Sequence, residues 1–451
     1  MPILPIDSGR YGSDEIKKIF EEENRLDYQL EFEACVAESQ SKIGIIPTGA
    51  AREIAQKARS SKITVQRVKK LEEVSEHDTA AMVEAISELC SNNAKPWIHY
   101  GLTSYDVVDT TISMQIRDSL SIIEPKIAKI ALILADKATK YRDVPAVGRT
   151  HGQHASIISF GLKFAVWASD MASHISRIRE MKRRVLVCKT LGVVGTGSVM
   201  GNKALKVQAL VSKKLDLYPI DAATQVVSRE RHAEFILCFA LIASTLDKIA
   251  VEIRNLQRTE IGEVAEPFKE GQMGSSAVPV KRNPIKSERI SSLARILKSL
   301  TGVSLENVAL WHERDLSNSA NERFTIPMAV ILLDEMLNSM TKVLSGLKID
   351  DKRIAGNLEH TKGQIYAEFV LNALVKKGMP RLNAYRAIQR TAFGAEKKNA
   401  HFLDALYNDK DISSKLKREE LKMIFNPTNH LAASGQIIDN VAKMVKQVCR
   451  A

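Results

Sequence analysis

The sequence lacks several features that mark well-defined classes of protein. Its 451 residues include only five cysteines, Cys35, Cys90, Cys188, Cys238 and Cys449, which are far apart and form no CxxC pair. Because disulfide frameworks and zinc sites need paired or closely spaced cysteines, neither is predicted. No apolar run reaches the roughly 20 residues of a membrane-spanning helix, and the first residues do not resemble a secretory signal. We therefore expect a cytoplasmic protein with no membrane partner.

Aromatic residues are also scarce, at 5% of the chain, whereas the formal net charge is +12. Positive charge attracts either nucleic acid or a small anionic substrate. The lysines and arginines are scattered along helical segments with few aromatic residues between them, so nucleic acid is the less favoured partner. A non-catalytic helical scaffold or RNA-binding protein is the alternative from another functional class.

Glycine and proline are absent from residues 220–261, where apolar residues recur at intervals of three and four. At 1.5 Å per residue, one helix over this segment would be about 60 Å long. Four similar segments, with few interruptions, cover residues 112–142, 162–191, 286–311 and 328–345. Strand-like alternation is rare. The pattern predicts an all-α fold with a central bundle of about five long helices.

Shorter helical segments, broken by glycine and proline, lie on both sides of this bundle. They predict three domains: an N-terminal helical domain at 1–111, the long-helix bundle at 112–351 and a C-terminal helical domain at 352–451. The long helices have apolar residues on more than one face, which favours association with partner subunits.

Three polar clusters interrupt the helical pattern, and the first is HYGLTSYDVVDT at residues 99–110. His99, Thr103, Ser104 and Asp106 crowd the start of a predicted helix. Helix capping by Thr103 or Ser104, with Asp106 at the positive end of the helix dipole, explains the cluster without any catalytic role.

The second cluster is GRTHGQHA at residues 148–155, which carries His151 and His154 between two predicted helices. Histidines in such a loop are surface residues, metal ligands or general acids and bases. No cysteine is nearby and the sequence has no HExxH pattern, so we predict no metal. A surface position and an acid–base role in an anion-binding loop remain equally open.

The third cluster is GSSAVPVKRNPIKSERI at residues 274–290. Its first residues offer a flexible backbone with N–H donors, Lys281 and Arg282 offer positive charge, and Asn283 can orient a carboxylate or an amide. A charged loop is usually solvated. Beside the other two clusters, however, this segment is interpreted as the third wall of a single site.

Together, TSYDVVDT, GRTHGQHA and GSSAVPVKRNPIKSE resemble the three signature regions of the fumarase/aspartase superfamily, most of whose members release or hydrate fumarate. Within it the chain is most similar to the adenylosuccinate lyases, and the resemblance covers nearly the whole chain. Carboxymuconate cycloisomerases share the KRNP motif. Another fumarate-releasing or cycloisomerase member of the superfamily is therefore the nearest alternative.

The resemblance implies β-elimination of fumarate from adenylosuccinate, giving AMP, and from succinyl-aminoimidazole-carboxamide ribonucleotide in purine biosynthesis. It also implies the three-domain superfamily fold, a homotetramer with a multi-helix core, active sites shared between subunits, and no cofactor.

The elimination needs a base for a carbon-bound proton, a cation for the developing charge and an acid for the leaving nitrogen. On chemistry alone His151 is the expected base, because an unperturbed imidazole has a pKa of about 6.5. The resemblance implies instead that Ser275 takes the carbon proton and that His151 protonates the nitrogen. Glu288 is expected to pair with a histidine. The complete implied catalytic set is Ser275, His151, Lys281, Glu288, His77 and His99.

The resemblance also implies the substrate-binding residues. GRYG at 9–12 is similar to an N-terminal Arg-Tyr pair that meets the nucleotide phosphate, and WHERDLSNSANER at 311–323 is similar to a segment that faces the AMP part. The implied set is Arg10, Tyr11, His77, Asp78, Thr103, Ser104, Gln225, Ser276, Lys281, Arg282, Asn283, Arg314, Ser319 and Arg323.

Overall fold

The protein is predominantly helical in a computed structural model that describes residues 4–450. The first helices are α1 (Asp14–Lys18), α2 (Glu22–Lys42), α3 (Thr48–Ala58), α4 (Val65–Ser75) and α5 (Asp78–Leu89). The central ones are α6 (Ser104–Lys140), α7 (Phe160–Val185), α8 (Ala204–Lys214), α9 (Glu230–Leu256), α10 (Ile285–Glu306) and α11 (Ser319–Ser345). The last are α12 (Asp351–Glu359), α13 (Ala367–Lys376), α14 (Arg381–Lys397), α15 (Phe402–Asn408), α16 (Lys410–Ser413), α17 (Arg418–Ile424) and α18 (Ala432–Arg450).

The strands are short and form three two-stranded sheets. They are β1 (Pro145–Thr150), β2 (Gln153–Ser159), β3 (Val187–Cys188), β4 (Tyr218–Pro219), β5 (Val264–Ala265) and β6 (Lys348–Ile349). The β1–β2 and β5–β6 pairs are antiparallel and the β3–β4 pair is parallel. The predicted all-α class is confirmed. Within residues 4–450, none of the helices has the length and apolar composition needed to cross a membrane.

The five predicted long helices are present as α6, α7, α9, α10 and α11, but their ends differ from the prediction. The prediction of one helix over 220–261 is wrong at its start, because α9 begins only at Glu230. The preceding segment is held in a non-helical form by Asp109, whose carboxylate accepts the Val227 N–H at 2.8 Å. Conversely, α11 begins earlier than predicted and continues through Pro327. A proline in a helix removes one backbone donor, and here the helix continues regardless.

The described residues divide into two compact units. The first comprises residues up to 126, 174–246 and 292–338, and the second comprises 127–173, 247–291 and the residues from 339 onward. The predicted three-domain division at residues 111 and 351 stays a prediction.

Buried charges organise the interior of the first unit at the start of α6. Asp106 and Lys189 are both fully buried and form an ion pair. The Asp106 carboxylate also accepts the N–H groups of Leu191 at 3.1 Å and Gly192 at 3.0 Å. It accepts the Thr103 N–H at 2.8 Å as well. Because a buried charge is tolerated only when it is paired and hydrogen-bonded, Asp106 fixes the first turn of α6 against residues 189–192.

A second buried network joins α6 to α11. Arg229 is 1% exposed and donates to Asp109 at 2.7 Å, and its Nε lies 3.2 Å from Glu322. Burial opposes the charged form of Arg229, but Asp109 and Glu322 outweigh it and raise the pKa of the guanidinium. The network holds the first turns of α6, α9 and α11 together.

In the second unit, the β1–β2 hairpin is supported by an apolar cluster. Val147 and Ile157 from the hairpin pack with Leu358, Tyr366 and Leu431, all of which are less than 10% exposed. A β-bulge lies next to Gly148, where Arg149 pairs with His154 and not with Ala155. The apolar cluster therefore fixes the position of the two strands that carry the turn.

Candidate active site

Six of the predicted site residues line one pocket of about 390 Å³ in the first unit. They come from the N-terminal turns of α5, α6 and α11 and from the loop before α11. Helix N-termini attract anions through their unpaired N–H groups and the helix dipole. The six residues are His77, Asp78, Ser104, Arg314, Ser319 and Arg323.

Arg314 is oriented by two neighbours. Its guanidinium carbon lies 3.8 Å from the centroid of the Tyr105 ring, and its Nη1 donates to the Gln225 side chain at 2.7 Å. Tyr105 is only 4% exposed, so the ring forms a rigid floor beneath the cation. Gln225, predicted to bind substrate, contacts Arg314 in this structure.

Arg323 is paired with Asp78, which lies in the first turn of α5. Its Nη2 lies 3.1 Å from Asp78 Oδ2, and Asp78 Oδ1 accepts the Thr79 N–H at 2.7 Å. A carboxylate repels an anionic substrate, so Asp78 is better suited to orienting Arg323 than to touching phosphate. Arg25, which was not predicted, lines the same pocket as a further cation.

The two predicted histidines of the first unit, His77 and His99, use Nδ1 in different ways. His77 caps α5, and its Nδ1 accepts the Ala80 N–H at 3.3 Å, which places the ring proton on Nε2. Asp78 lies 3.8 Å from the same nitrogen, too far for a hydrogen bond, so the Ala80 contact decides the tautomer. His99 Nδ1 lies 2.6 Å from Glu33 Oε1, which places a proton on Nδ1.

Four predicted residues line a second pocket of about 540 Å³ in the same unit. Two of them, His77 and Ser104, also line the first pocket. The two pockets therefore share a wall built from the α5 and α6 N-termini. The four residues are His77, His99, Thr103 and Ser104.

Arg10 and Tyr11 are not among the side chains that line either pocket. The next two residues are attached to α11: the Gly12 N–H lies 3.4 Å from Glu335 Oε2 and the Ser13 N–H lies 2.8 Å from Asp334 Oδ2. The phosphate-binding role of Arg10 and Tyr11 stays a prediction.

His151 lies at the tip of the β1–β2 hairpin in the second unit. Thr150 and Gln153 are paired, and the two residues between them, His151 and Gly152, have φ values of +54° and +76°. Two consecutive positive φ values define the tight turn that suits the twist of a hairpin. The sequence predicted only a loop between two helices here. The turn exposes the His151 ring.

Near His151, Arg149 anchors the hairpin to a buried carboxylate. Arg149 donates to both oxygens of buried Glu263, at 2.6 and 3.2 Å, and Asn357 donates to the same carboxylate at 2.8 Å. Burial, Arg149 and His360 together lower the pKa of His154. Among the described residues, no three His, Cys, Asp or Glu side chains cluster as metal ligands would.

Ser275, the second residue of the third cluster, is the hydrogen-bond acceptor in a compact turn. Its Oγ lies 3.3 Å from the Ala277 N–H and 3.1 Å from the Val278 N–H. A Cβ on Gly274 would lie 2.1 Å from the Lys281 carbonyl oxygen, so only glycine allows this approach. Two backbone donors aimed at one hydroxyl oxygen can stabilise negative charge on it.

The rest of the cluster divides into exposed and anchored residues. Asn283 donates to the Gly274 carbonyl at 2.9 Å, which closes the base of the loop. Glu288 is exposed, and no ion pair of its carboxylate occurs within residues 4–450. Its predicted pairing with a histidine stays a prediction; in this structure Glu33 is the carboxylate bonded to His99. The exposed residues of the loop include Ser276, Lys281 and Arg282.

The sequence is similar to known proteins over nearly its whole length. A family model described as Lyase matches residues 9–297, and one described as Adenylosuccinate lyase C-terminus matches residues 363–441. The adenylosuccinate lyase of Methanocaldococcus jannaschii is 42% identical over 447 residues, which cover 99% of this chain and 96% of that protein. The chain belongs to the adenylosuccinate lyase family. The adenylosuccinate lyase of Archaeoglobus fulgidus is 37% identical over 450 residues, which cover 100% of this chain and 100% of that protein.

Solved structures with the same fold extend this result. The 3-carboxy-cis,cis-muconate lactonizing enzyme of Pseudomonas putida matches with a TM-score of 0.89 at 26% identity, over 99% of this chain and 100% of that one. The fumarate lyase of Mesorhizobium sp. BNC1 matches with a TM-score of 0.89 at 30% identity, over 98% and 100%. The predicted superfamily fold is confirmed.

Sequence reasoning missed three residues of these pockets and their surroundings. Glu33 could have been found from the sequence, because it shares a helix face with the apolar residues Leu30 and Ala37. A carboxylate on such a face needs a partner. Tyr105 stands inside a signature motif, but nothing in the motif indicates stacking. Arg25 had no distinguishing signal.

Proposed function

We propose that this member of the adenylosuccinate lyase family eliminates fumarate from adenylosuccinate, giving AMP, and from succinyl-aminoimidazole-carboxamide ribonucleotide. The observation that carries the proposal is the 390 Å³ pocket, which is lined by Arg25, Arg314 and Arg323 together with Ser319 at the start of α11. Three cations beside a helix N-terminus suit the phosphate of a nucleotide.

In the proposed reaction Ser275 removes a proton from the carbon beside a succinyl carboxylate. The carbon–nitrogen bond then breaks, a carbon–carbon double bond forms, and His151 gives its proton to the leaving nitrogen. A serine hydroxyl is a weak base, so its deprotonated form needs stabilisation. The Ala277 and Val278 N–H groups, which already point at Ser275 Oγ, would supply it.

The remaining predicted residues bind and orient the substrate in this proposal. Lys281 and Asn283 hold the succinyl carboxylates, and Lys281 balances the charge that develops when the proton leaves. His77 offers a donor from Nε2, because its Nδ1 already accepts a backbone N–H. No step requires a metal or an organic cofactor.

One assay tests the proposal. The purified protein is incubated with adenylosuccinate, argininosuccinate, malate and 3-carboxy-cis,cis-muconate in turn, in the presence of a chelator. We expect fumarate and AMP in equal amounts from adenylosuccinate alone. Consumption of the muconate without fumarate release would favour the cycloisomerase alternative. Muconate is included because the fold is similar to that of the lactonizing enzyme. Tight RNA binding with no turnover of any substrate would favour the non-catalytic alternative.

We further propose that the protein is a homotetramer whose sites are shared between subunits. Apolar side chains on α9 and α10 are exposed in the single chain, among them Leu241 at 51% and Leu305 at 52%, and they line an open apolar groove. Burying such surface is a main driving force for association. Light scattering should give four times the chain mass.

Sharing of sites has its own test. Ser275→Ala and His151→Ala are each expected to be inactive, and the two variants are unfolded together and refolded as mixed oligomers. If different subunits supply the two residues, some sites in the mixture are intact and activity returns. If one subunit supplies both, the mixture stays inactive.

A further inference from the structure

Glu33 is a buried carboxylate with one hydrogen-bond partner within residues 4–450. Its side chain is 2% exposed, and its Oε1 lies 2.6 Å from His99 Nδ1. It belongs to α2, where Leu26, Leu30 and Ala37 on the same face are also buried. Because a carboxylate in such a position is costly unless it is paired, the hydrogen bond to His99 is what offsets the cost of burying Glu33.

His99 is held in an unusual backbone conformation. Its φ is +57°, a region that side chains other than glycine enter at a cost, and Gly101 two residues later has a φ of +74°. Strained residues persist where their surroundings fix them, and they often lie at functional sites. The ring is fixed as well, since Glu33 binds one edge of it and His99 lines the 540 Å³ pocket.

The charged and titratable groups around His99 come from three helices. Glu33 on α2 and Asp106 on α6 are negative, and His77 and Glu84 on α5 line the same pocket as His99. Burial opposes protonation of the imidazole. The charge of Glu33 and its hydrogen bond, together with Asp106, outweigh burial and raise the pKa of His99 above its ordinary value. Much of the Asp106 charge is already balanced by Lys189.

We propose that Glu33 is a positioning residue for the elimination: it holds His99 as an imidazolium whose Nε2–H binds a carboxylate or phosphate oxygen of the substrate. Glu33 binds Nδ1, so the opposite edge of the ring remains for the ligand. The inference rests on the proposed function, because it needs an anionic substrate. It adds a residue that acts through His99 and does not itself touch the substrate.

The test compares Glu33→Gln with the wild-type enzyme in steady-state kinetics with adenylosuccinate. Glutamine keeps the size of the side chain and an acceptor oxygen but removes the charge that favours protonated His99. Because His99 loses its proton at a lower pH without the Glu33 charge, we expect KM to rise by about tenfold toward pH 8, with a smaller change near pH 6 and a nearly constant kcat. Glu33→Asp, which keeps the charge, should restore much of the wild-type pH profile.

Glu31→Gln is the matched control, because Glu31 lies on the same helix but forms a solvent-exposed pair with Arg59. Its KM should follow the wild-type curve at every pH. If Glu33→Gln is folded and its KM rises by the same factor at pH 6 and pH 8, or not at all, the charge-holding role is overturned.

A second readout does not depend on turnover. The NMR titration of carbon-labelled His99, assigned with His99→Asn, should have a lower midpoint in Glu33→Gln than in the wild type, because the charge that favours the imidazolium is gone. An unchanged midpoint overturns the proposal even if the enzyme is active. A shifted midpoint in a protein that turns over no adenylosuccinate would instead contradict the proposed function and, with it, the substrate-binding part of this inference. Should Glu33→Gln fail to fold, Glu33→Asp is titrated in its place and must keep a midpoint near the wild-type value.

Discussion

The guanidinium of Arg314 stacks on the face of Tyr105, 3.8 Å from the ring centroid, while Gln225 accepts one of its N–H groups. Arg314 belongs to the loop before α11, whereas Tyr105 belongs to the buried first turn of α6. The stack therefore fixes a loop cation to the best-anchored part of the first unit.

The first prediction concerns this stack. Tyr105→Leu removes the ring face, and a cation–π contact is worth about 1 kcal/mol, so KM for adenylosuccinate should rise roughly fivefold with a smaller effect on kcat. Tyr105→Phe keeps the ring and should bind nearly as the wild type does. Equal KM values for the Leu and Phe variants in steady-state assays would show that the stack does not position Arg314.

The second prediction concerns the buried Asp106–Lys189 pair. Lys189→Met leaves the Asp106 charge without its partner, and we expect a loss of about 3–5 kcal/mol in the free energy of unfolding. The double variant with Asp106→Asn should be less destabilised than the sum of the two single variants. Urea unfolding at a fixed protein concentration measures all three, and strict additivity would mean that the pair is not coupled.

The third prediction uses two glycines of the second unit. An added Cβ meets nothing within 4 Å at either Gly152 or Gly394, but Gly152 has a φ of +76° whereas Gly394 lies inside α14. Gly152→Ala should therefore lose about 1 kcal/mol of stability through backbone strain, and Gly394→Ala should gain about 0.5–1 kcal/mol. Thermal unfolding compares them. Because the Gly152 turn carries His151, only Gly152→Ala should also lower kcat.

The fourth prediction concerns the proposed acid and base. Ser275→Ala and His151→Ala should each lower the single-turnover rate by at least about 10²-fold while the protein stays folded. Ser276→Ala changes a neighbouring exposed serine that is proposed to bind substrate, so it should alter KM more than the chemical rate. Near-normal turnover by Ser275→Ala would remove Ser275 from the role of base.

The fifth prediction follows from the raised pKa of His99. The charged imidazole contributes stability that is fully present below the ordinary histidine pKa of about 6.5 and is lost as pH rises through the raised value. His99→Asn removes the ring and keeps a residue that tolerates positive φ. The melting temperature of the variant should therefore lie further below that of the wild type near pH 6 than near pH 9. A difference that does not vary with pH would contradict the ion pair with Glu33.

The helical class and the five long helices were predictable because apolar periodicity is a local property of the chain. The end points were less predictable: α9 starts later than the pattern indicates because Asp109 holds the Val227 N–H, more than a hundred residues away in sequence. The hairpin of residues 145–159 was missed because its strands bear few of the alternating apolar and polar residues that mark a strand. The motifs contain six of the residues that line the first pocket: His77, Asp78, Ser104, Arg314, Ser319 and Arg323.

The family could be recognised from the sequence alone, because three motifs and a full-length resemblance are read along the chain. The contacts between distant residues, such as Glu33 with His99, Tyr105 with Arg314 and Asp106 with Lys189, became known only from the folded structure. Motifs and periodicity are read along the chain, whereas a buried charge finds its partner through the packing of helices that are distant in sequence. The proton positions of His77 and His99 were decided in the same way, by the groups that the fold brings to each ring.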